Sequence, residues 1–275
     1  VTGATDATPR PNAGGGPPAL RLVRLSLTDF RSYGTSLWQP TGQLVVITGP
    51  NGSGKTNLLE AVSLLVPGRG LRAARNADLA RRASEGRWAV AGRFETQAGQ
   101  LDIGTGLPPG SPMRDERLGA QTERRVFRMD GAPPRNQAAI AARLAAVWLT
   151  PQMDRLFQEG AGARRRFLDR LVWALEPGHA REVAAHDAAM TSRNRLLAAD
   201  RPPDSAWLAG LEDAMARHAV AATAARIALV DALNGELARG VAGTFPAVHM
   251  RLLCPIAERL AQAPALAVED WLRLT

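Results

Sequence analysis

Apolar and polar positions alternate through "LRLVRLSLTDF". Val23, Leu25 and Leu27 face one way and Arg24, Ser26 and Thr28 the other, which predicts a half-buried strand beginning at Leu20. "QLVVITG" is instead a continuous β-branched run, the pattern of a central strand buried on both faces. A glycine-rich loop follows. Beyond it Leu58, Leu59, Val62, Leu65 and Val66 share one helical face, and Pro67-Gly68 stops that helix. Alternation then returns three times. Trp88, Val90 and Phe94 alternate in "RWAVAGRFE", Leu101, Ile103 and Leu107 in "QLDIGTGL", and Phe127 and Met129 in "RRVFRMDG", which closes on an Asp130-Gly131 turn. These three segments predict an antiparallel layer beside a nucleotide-type core, and "PPGSPMRDERLGAQT" between the last two reads as a mobile loop.

From about Gln137 the period becomes helical. Phe167, Leu171 and Leu175 repeat at four-residue spacing, joined by Leu168 and Val172. A long helical tract follows "PPD", with Asp204 as its N-cap, and Leu208, Leu211, Met215, Leu229, Leu233 and Leu237 carry it to Gly240. "AVHMRLLC" then has the look of a return strand. The expected plan is a disordered leader over 1–19, the first part of an α/β lobe over 20–150, a helical lobe with coiled-coil-like arms over 151–245, and the start of a return to the first lobe over 246–275.

Composition narrows the partners. The 275 residues are 45% hydrophobic and 22% charged, with a net charge of +8. That excess suits a polyanion, nucleic acid before a membrane surface, although arginine replacing lysine on an ordinary solvated surface gives the same count. One cysteine, Cys254, excludes an intramolecular disulfide and fits a reducing compartment. No run approaches the ~18 apolar residues of a membrane helix, and the leader has no apolar signal core. A cytoplasmic protein without membrane association is the simplest expectation.

The chain has a single lysine, Lys55, inside "GPNGSGKTN". Gly49, Gly54, Lys55 and Thr56 match G-x-x-x-x-G-K-[ST], with a predicted strand before and an amphipathic helix after. The glycines Gly49, Gly52 and Gly54 let successive N–H groups turn inward around phosphate oxygens, and the helix start adds its positive dipole end. Pro50, Asn51, Ser53 and Asn57 complete the loop. Lysine suits it because its ammonium is compact, whereas a planar guanidinium would crowd the cradle. Thr56 would supply a hydroxyl ligand to magnesium. The predicted cofactors are therefore ATP and Mg2+.

Together with these residues, "LTDFRSYGTSLW", "GPNGSGKTNLLEAVSLL", "GRGLRAARNADLAR", "WLTPQMDRLFQEGAGARRRFLDRLV", "HDAAMTSRNRLLA" and "PDSAWLAGLEDAMARHAVAATAAR" resemble the RecF family, of the SMC and Rad50-like branch of ABC ATPases. The resemblance covers Leu20 to about Thr275. It implies an α/β fold, a P-loop ABC-type ATPase head of mixed sheet plus antiparallel β layer, with an inserted helical lobe. Arg31 matches the arginine that approaches the nucleotide phosphates in related heads, against the alternative of a salt-bridged edge arginine. Tyr33 stays open between packing on adenine and a core or loop role. Gln152, in "LTPQM", looks like the Q-loop glutamine and a second magnesium ligand, or is a plain polar residue after Pro151. Arg164, Arg165, Arg166, Arg193 and Arg195 are candidate DNA contacts, with a solvated face as the alternative. His179 and His186 have no metal-ligand spacing.

The resemblance also implies ATP-dependent homodimerisation, binding of double-stranded and gapped single-stranded DNA, cooperation with RecR and RecO, and, through them, loading of RecA. Neither a signature motif nor an apolar strand ending in Asp-Glu occurs in the sequence. The family carries both near its carboxyl end, so the expectation is a chain truncated before its catalytic second half, with little hydrolysis alone. A nucleotide-binding subunit of another ABC-type ATPase, for transport or SMC-like chromosome maintenance, is the alternative. A small-molecule P-loop kinase lacks an identifiable acceptor-activating carboxylate and lid.

Overall fold

The computed structural model describes residues 20–84, 86–107, 125–199, 204–240 and 246–274. The expected leader and the loop expected at 108–122 lie outside the described residues. The chain divides into two units, one reaching Trp148 and one starting at Leu149.

The first unit contains β1 (Leu20–Phe30), β2 (Tyr33–Trp38), β3 (Ala89–Thr96), β4 (Gly99–Gly106) and β5 (Val126–Met129). They form one antiparallel sheet in the order β2-β1-β3-β4-β5. Period-two alternation puts Leu25 and Leu27 of β1, Val90 and Phe94 of β3, and Leu101 and Ile103 of β4 into a common core. Phe30 joins it past the positive φ of Asp29, and a register shift between Leu22 and Arg24 brings Leu22 to it in place of the expected Val23. Helix α1 (Lys55–Ser63) and the residues after it add Leu58, Ala61, Leu64 and Leu65. Trp88 is buried edge-on to Phe30, with ring centroids 5.6 Å apart, and its indole N–H donates to the Asn76 carbonyl at 2.8 Å. The Asp130-Gly131 turn forms as the sequence predicts, with both residues at positive φ. Short helix α2 (Gln137–Ala141) begins where its period starts, capped by the Asn136 side chain accepting from the Ala139 N–H.

Two expectations for this unit change. Residues 43–48 join no strand pairing among the described residues. Ile47 packs on the core, while Leu44 is 69% and Val46 50% exposed. The run is therefore half-buried on one side only, with no neighbouring strand among the described residues to cover the other. Leu59 is also exposed, about 100° round the helix from Leu58, and its expected place is taken by Ala61 and Leu64.

The second unit is helical: a 3-10 turn (Pro151–Arg155), then α3 (Ala161–Leu175), α4 (His179–Leu197), α5 (Ser205–Ala238), α6 (Pro255–Leu260) and α7 (Ala265–Arg273). Asp204 caps α5, accepting from the Ala206 and Trp207 N–H groups. In α3 the buried position is Val172, whereas Leu175 is exposed. Helices α4 and α5 run antiparallel, as the pairs Glu182–His218 and Arg193–Glu212 require. Asp169 of α3 joins this hairpin by accepting from Arg226 at 2.7 and 3.0 Å and from the buried His179 at 2.8 Å. Burial opposes ionisation of Asp169, but the hydrogen bonds from His179 and Arg226 outweigh it and hold the carboxyl below its ordinary range.

The strand expected in "AVHMRLLC" does not form. The Asn234 side chain on α5 instead clasps the Met250 backbone through two bonds of 2.9 Å, substituting for a strand partner. Helices α6 and α7 then pack on α5, with Val268 buried and Arg273 paired to Asp213. Residues 246–274 thus belong to the helical unit and not to the sheet unit.

Candidate phosphate-binding site

The loop from Gly49 to Gly54 leads directly into α1. Gly52 and Gly54 have φ of 83° and 93°, a region that side-chain-bearing residues rarely occupy. Gly54 is the N-cap residue and provides no capping side chain, and the first turn of α1 holds no acidic residue. Its first N–H groups are therefore open to an anion. The Lys55 ammonium folds back into the loop and donates to the carbonyls of Gly49 at 2.6 Å and Pro50 at 2.7 Å. Asn51, Gly52, Gly54, Lys55, Thr56, Asn57 and Arg72 line the cavity in front of it. Thr56 is exposed there, while the buried Ser53 hydroxyl has no partner among the described residues. An uncapped helix start and the Lys55 cation fit the oxygens of a triphosphate, and the exposed Thr56 hydroxyl fits its magnesium.

Behind the loop lies a charged network. Asn57 donates to the Ser32 hydroxyl at 3.0 Å and accepts from Arg72 at 3.0 Å. Arg72 also lies 3.4 Å from Glu60. Arg31 binds both oxygens of Glu60, at 2.9 and 2.8 Å, and its remaining nitrogen donates to the Asp78 carbonyl at 2.8 Å. Of the two readings of Arg31, the structure holds the side chain in the salt-bridged one. Its fork matches a carboxylate bidentately, and it is absent from the residues lining the cavity. The arginine on the cavity wall is Arg72. It lies in "GRGLRAARNADLAR", where nothing in the spacing separates it from Arg69 or Arg75. Glu60, only 1% exposed, was equally hidden, because it reads as an ordinary polar helix position.

The remaining candidates lie in the second unit. Gln152 is exposed on the 3-10 turn. Arg164, Arg165 and Arg166 are exposed on α3, Arg164 donating to the Glu159 carbonyl at 2.6 Å. Arg195 is exposed on α4, whereas Arg193 is committed to Glu212 at 2.9 Å. Among the described residues no group of three or more His, Cys, Asp or Glu side chains could hold a metal ion. No helix among them is long and apolar enough to cross a membrane.

Residues 44–237 match the family model "AAA domain, putative AbiEii toxin, Type IV TA system", which makes the chain a member of that AAA domain family. The protein "DNA replication and repair protein RecF" of Mesorhizobium japonicum is 42% identical over 258 residues, covering 94% of this chain and 65% of the relative. Its namesake in Rhizobium rhizogenes is 40% identical over 255 residues, covering 92% and 65%. The chain thus spans about 65% of the length of these curated relatives. A solved structure of "the recombination mediator protein RecF-ATP in RecFOR pathway" shares the fold, with a TM-score of 0.68 at 18% identity, covering 92% of this chain and 69% of that one. By its family model the chain belongs to that AAA domain family, and within it the chain is similar to RecF proteins at 40–42% identity over about 65% of their length.

Proposed function

We propose that this chain is a nucleotide-dependent DNA-binding component of recombinational repair and replication restart. The observation that carries the reading is the Lys55 ammonium, held inside a glycine loop at the uncapped start of α1. The loop amides and Lys55 bind the phosphates, Thr56 holds magnesium, and Arg72 and Asn57 shape the open side of the cavity. When bound, ATP would supply the phosphoryl oxygens that the loop amides and Lys55 hold, and hydrolysis would remove the terminal phosphoryl group alone. For Gln152 the proposed magnesium role rests on "LTPQM" alone. Relatives named for DNA replication and repair support duplex and gapped DNA as the polyanion suggested by the +8 charge. RecR and RecO, and indirectly RecA, are the proposed partners, with ATP-dependent pairing of two copies.

The decisive experiment is a gel shift on gapped duplex DNA with and without MgATP, across a salt series. Retention that requires MgATP, is lost in Lys55→Ala and falls steeply with salt is the expected result. Absence of binding at low salt in both nucleotide states would remove the proposal.

A further inference from the structure

We propose that Ser32 and Tyr33 are positioning residues that aim the phosphate loop, and that Tyr33 does not contact the base. This inference rests on the nucleotide-binding reading above. The end of β1 and the turn after it carry two non-glycine residues at left-handed φ, Asp29 at 46° and Arg31 at 53°. Such strain persists where the surroundings over-determine the backbone. Here they do. The Arg31 N–H donates to Leu79 O at 2.8 Å, and the Arg81 N–H donates to Asp29 O at 2.7 Å. Phe30 bridges to Ala80, the Arg81 side chain binds Asp29 at 2.9 Å, and the Arg31 guanidinium is fixed on Glu60 and Asp78. The turn is thus anchored both to the segment 78–81 and to α1.

From this anchored turn two hydroxyls press on Gly54. A Cβ built there would lie 2.8 Å from the Tyr33 hydroxyl and 3.1 Å from that of Ser32. The Tyr33 hydroxyl donates to the Gly54 carbonyl at 3.3 Å, and the Leu58 N–H donates to the same oxygen at 3.0 Å. The Gly54–Lys55 peptide is trans and planar, so a carbonyl drawn toward Tyr33 and Leu58 sends the Lys55 N–H the opposite way, toward the phosphate side. Ser32 holds the same first turn of α1 by accepting from Asn57 at 3.0 Å. Tyr33 itself is absent from the residues lining the cavity and packs against the core, which is the reverse of a base-stacking platform.

A positioning role acts on the phosphates whatever base they carry. The test is calorimetric titration of the purified chain and of Tyr33→Phe with MgATP, MgGTP and magnesium tripolyphosphate. The phenylalanine keeps the packing and deletes one long, shared hydrogen bond. Affinity should fall by about threefold to tenfold, by the same factor for all three ligands, with the ligand-free melting temperature unchanged. A loss confined to ATP would overturn the proposal in favour of base contact, and undiminished tripolyphosphate binding would overturn it outright. Should Tyr33→Phe not fold, Ser32→Ala carries the same test. An equal, smaller loss on all three ligands supports the pair's role, and unchanged affinity refutes it. If the unaltered chain bound none of the three, the phosphate-loop reading itself would fall. Binding by the unaltered chain with no change in the variants sinks only the positioning role.

Discussion

Glu60 decides what two arginines do. Its carboxylate is buried, and an unpaired charge there would be strongly unfavourable, so Arg31 is drawn onto it as a two-pronged partner and away from the cavity. Replacing Arg31 by alanine should therefore destabilise the fold by about 2–4 kcal/mol in urea titrations, below the full cost of orphaning a buried charge because the Arg31 side chain keeps 21% exposure. Arg72 is 42% exposed and only 3.4 Å from the same carboxylate, so Arg72→Ala should shift stability by less than about 1 kcal/mol. If Arg31→Ala left stability untouched and removed only nucleotide affinity, the sequence-level assignment of Arg31 would be right after all. The loop itself was legible, because Gly54, Lys55 and Thr56 are each demanded by phosphate chemistry at fixed spacing. Arg31 and Arg72 were not told apart, since the partner that sorts them lies 29 residues from one and 12 from the other.

At the scale of elements, α1 is fixed at both ends by non-local contacts. Its start leans on the β1–β2 turn. Its end is capped by Arg125, whose guanidinium donates to the carbonyls of Leu64 at 3.0 Å, Val66 at 3.0 Å and Gly68 at 2.6 Å while lying 4.6 Å from the Phe127 ring centroid. Burial brings the Arg125 pKa down to about 10. Arg125→Met keeps the apolar stem but leaves three carbonyls without this donor, and a destabilisation of about 2–4 kcal/mol is expected in thermal melts. The antiparallel strands were readable because alternation dominates each of them and β5 closes on Asp130-Gly131, although the register shift between Leu22 and Arg24 in β1 leaves no local signal. The segment 43–48 was misread for a physical reason: an apolar run reports the capacity to be covered on two faces, not the presence of a cover. "AVHMRLLC" failed similarly. Its extended backbone is held by the side-chain amide of Asn234, a partner that no local period encodes.

At the scale of the whole molecule, the helical unit holds two carboxyls whose ionised forms the fold favours. Asp169 is held below its ordinary range by His179 and Arg226 against burial, and Glu182 by hydrogen bonds from His218 and Arg181. A depressed folded-state value means stabilisation that is complete above the unfolded value near 4 and is lost as pH falls through the folded one. Helical circular dichroism melts should thus change little between pH 7 and 5 and fall below about pH 4. In Asp169→Asn the starting stability should be lower and the acid slope shallower; an unchanged slope would show that other groups govern it. The change of period near Gln137 does not mark the division into two units, because α2 stays in the unit that ends at Trp148. The assignment of 246–274 was not foreseeable either, because α6 and α7 are recruited by contacts along α5.

A protein in which arginine fills every other basic position has, at Lys55, its sole side-chain amine. Acylating reagents that spare guanidinium therefore find one ε-amino target, and it sits among the carbonyls of Gly49 and Pro50. The chemistry of the loop can be followed by mass spectrometry of a single peptide, with occupancy read as protection from modification and no engineered probe required.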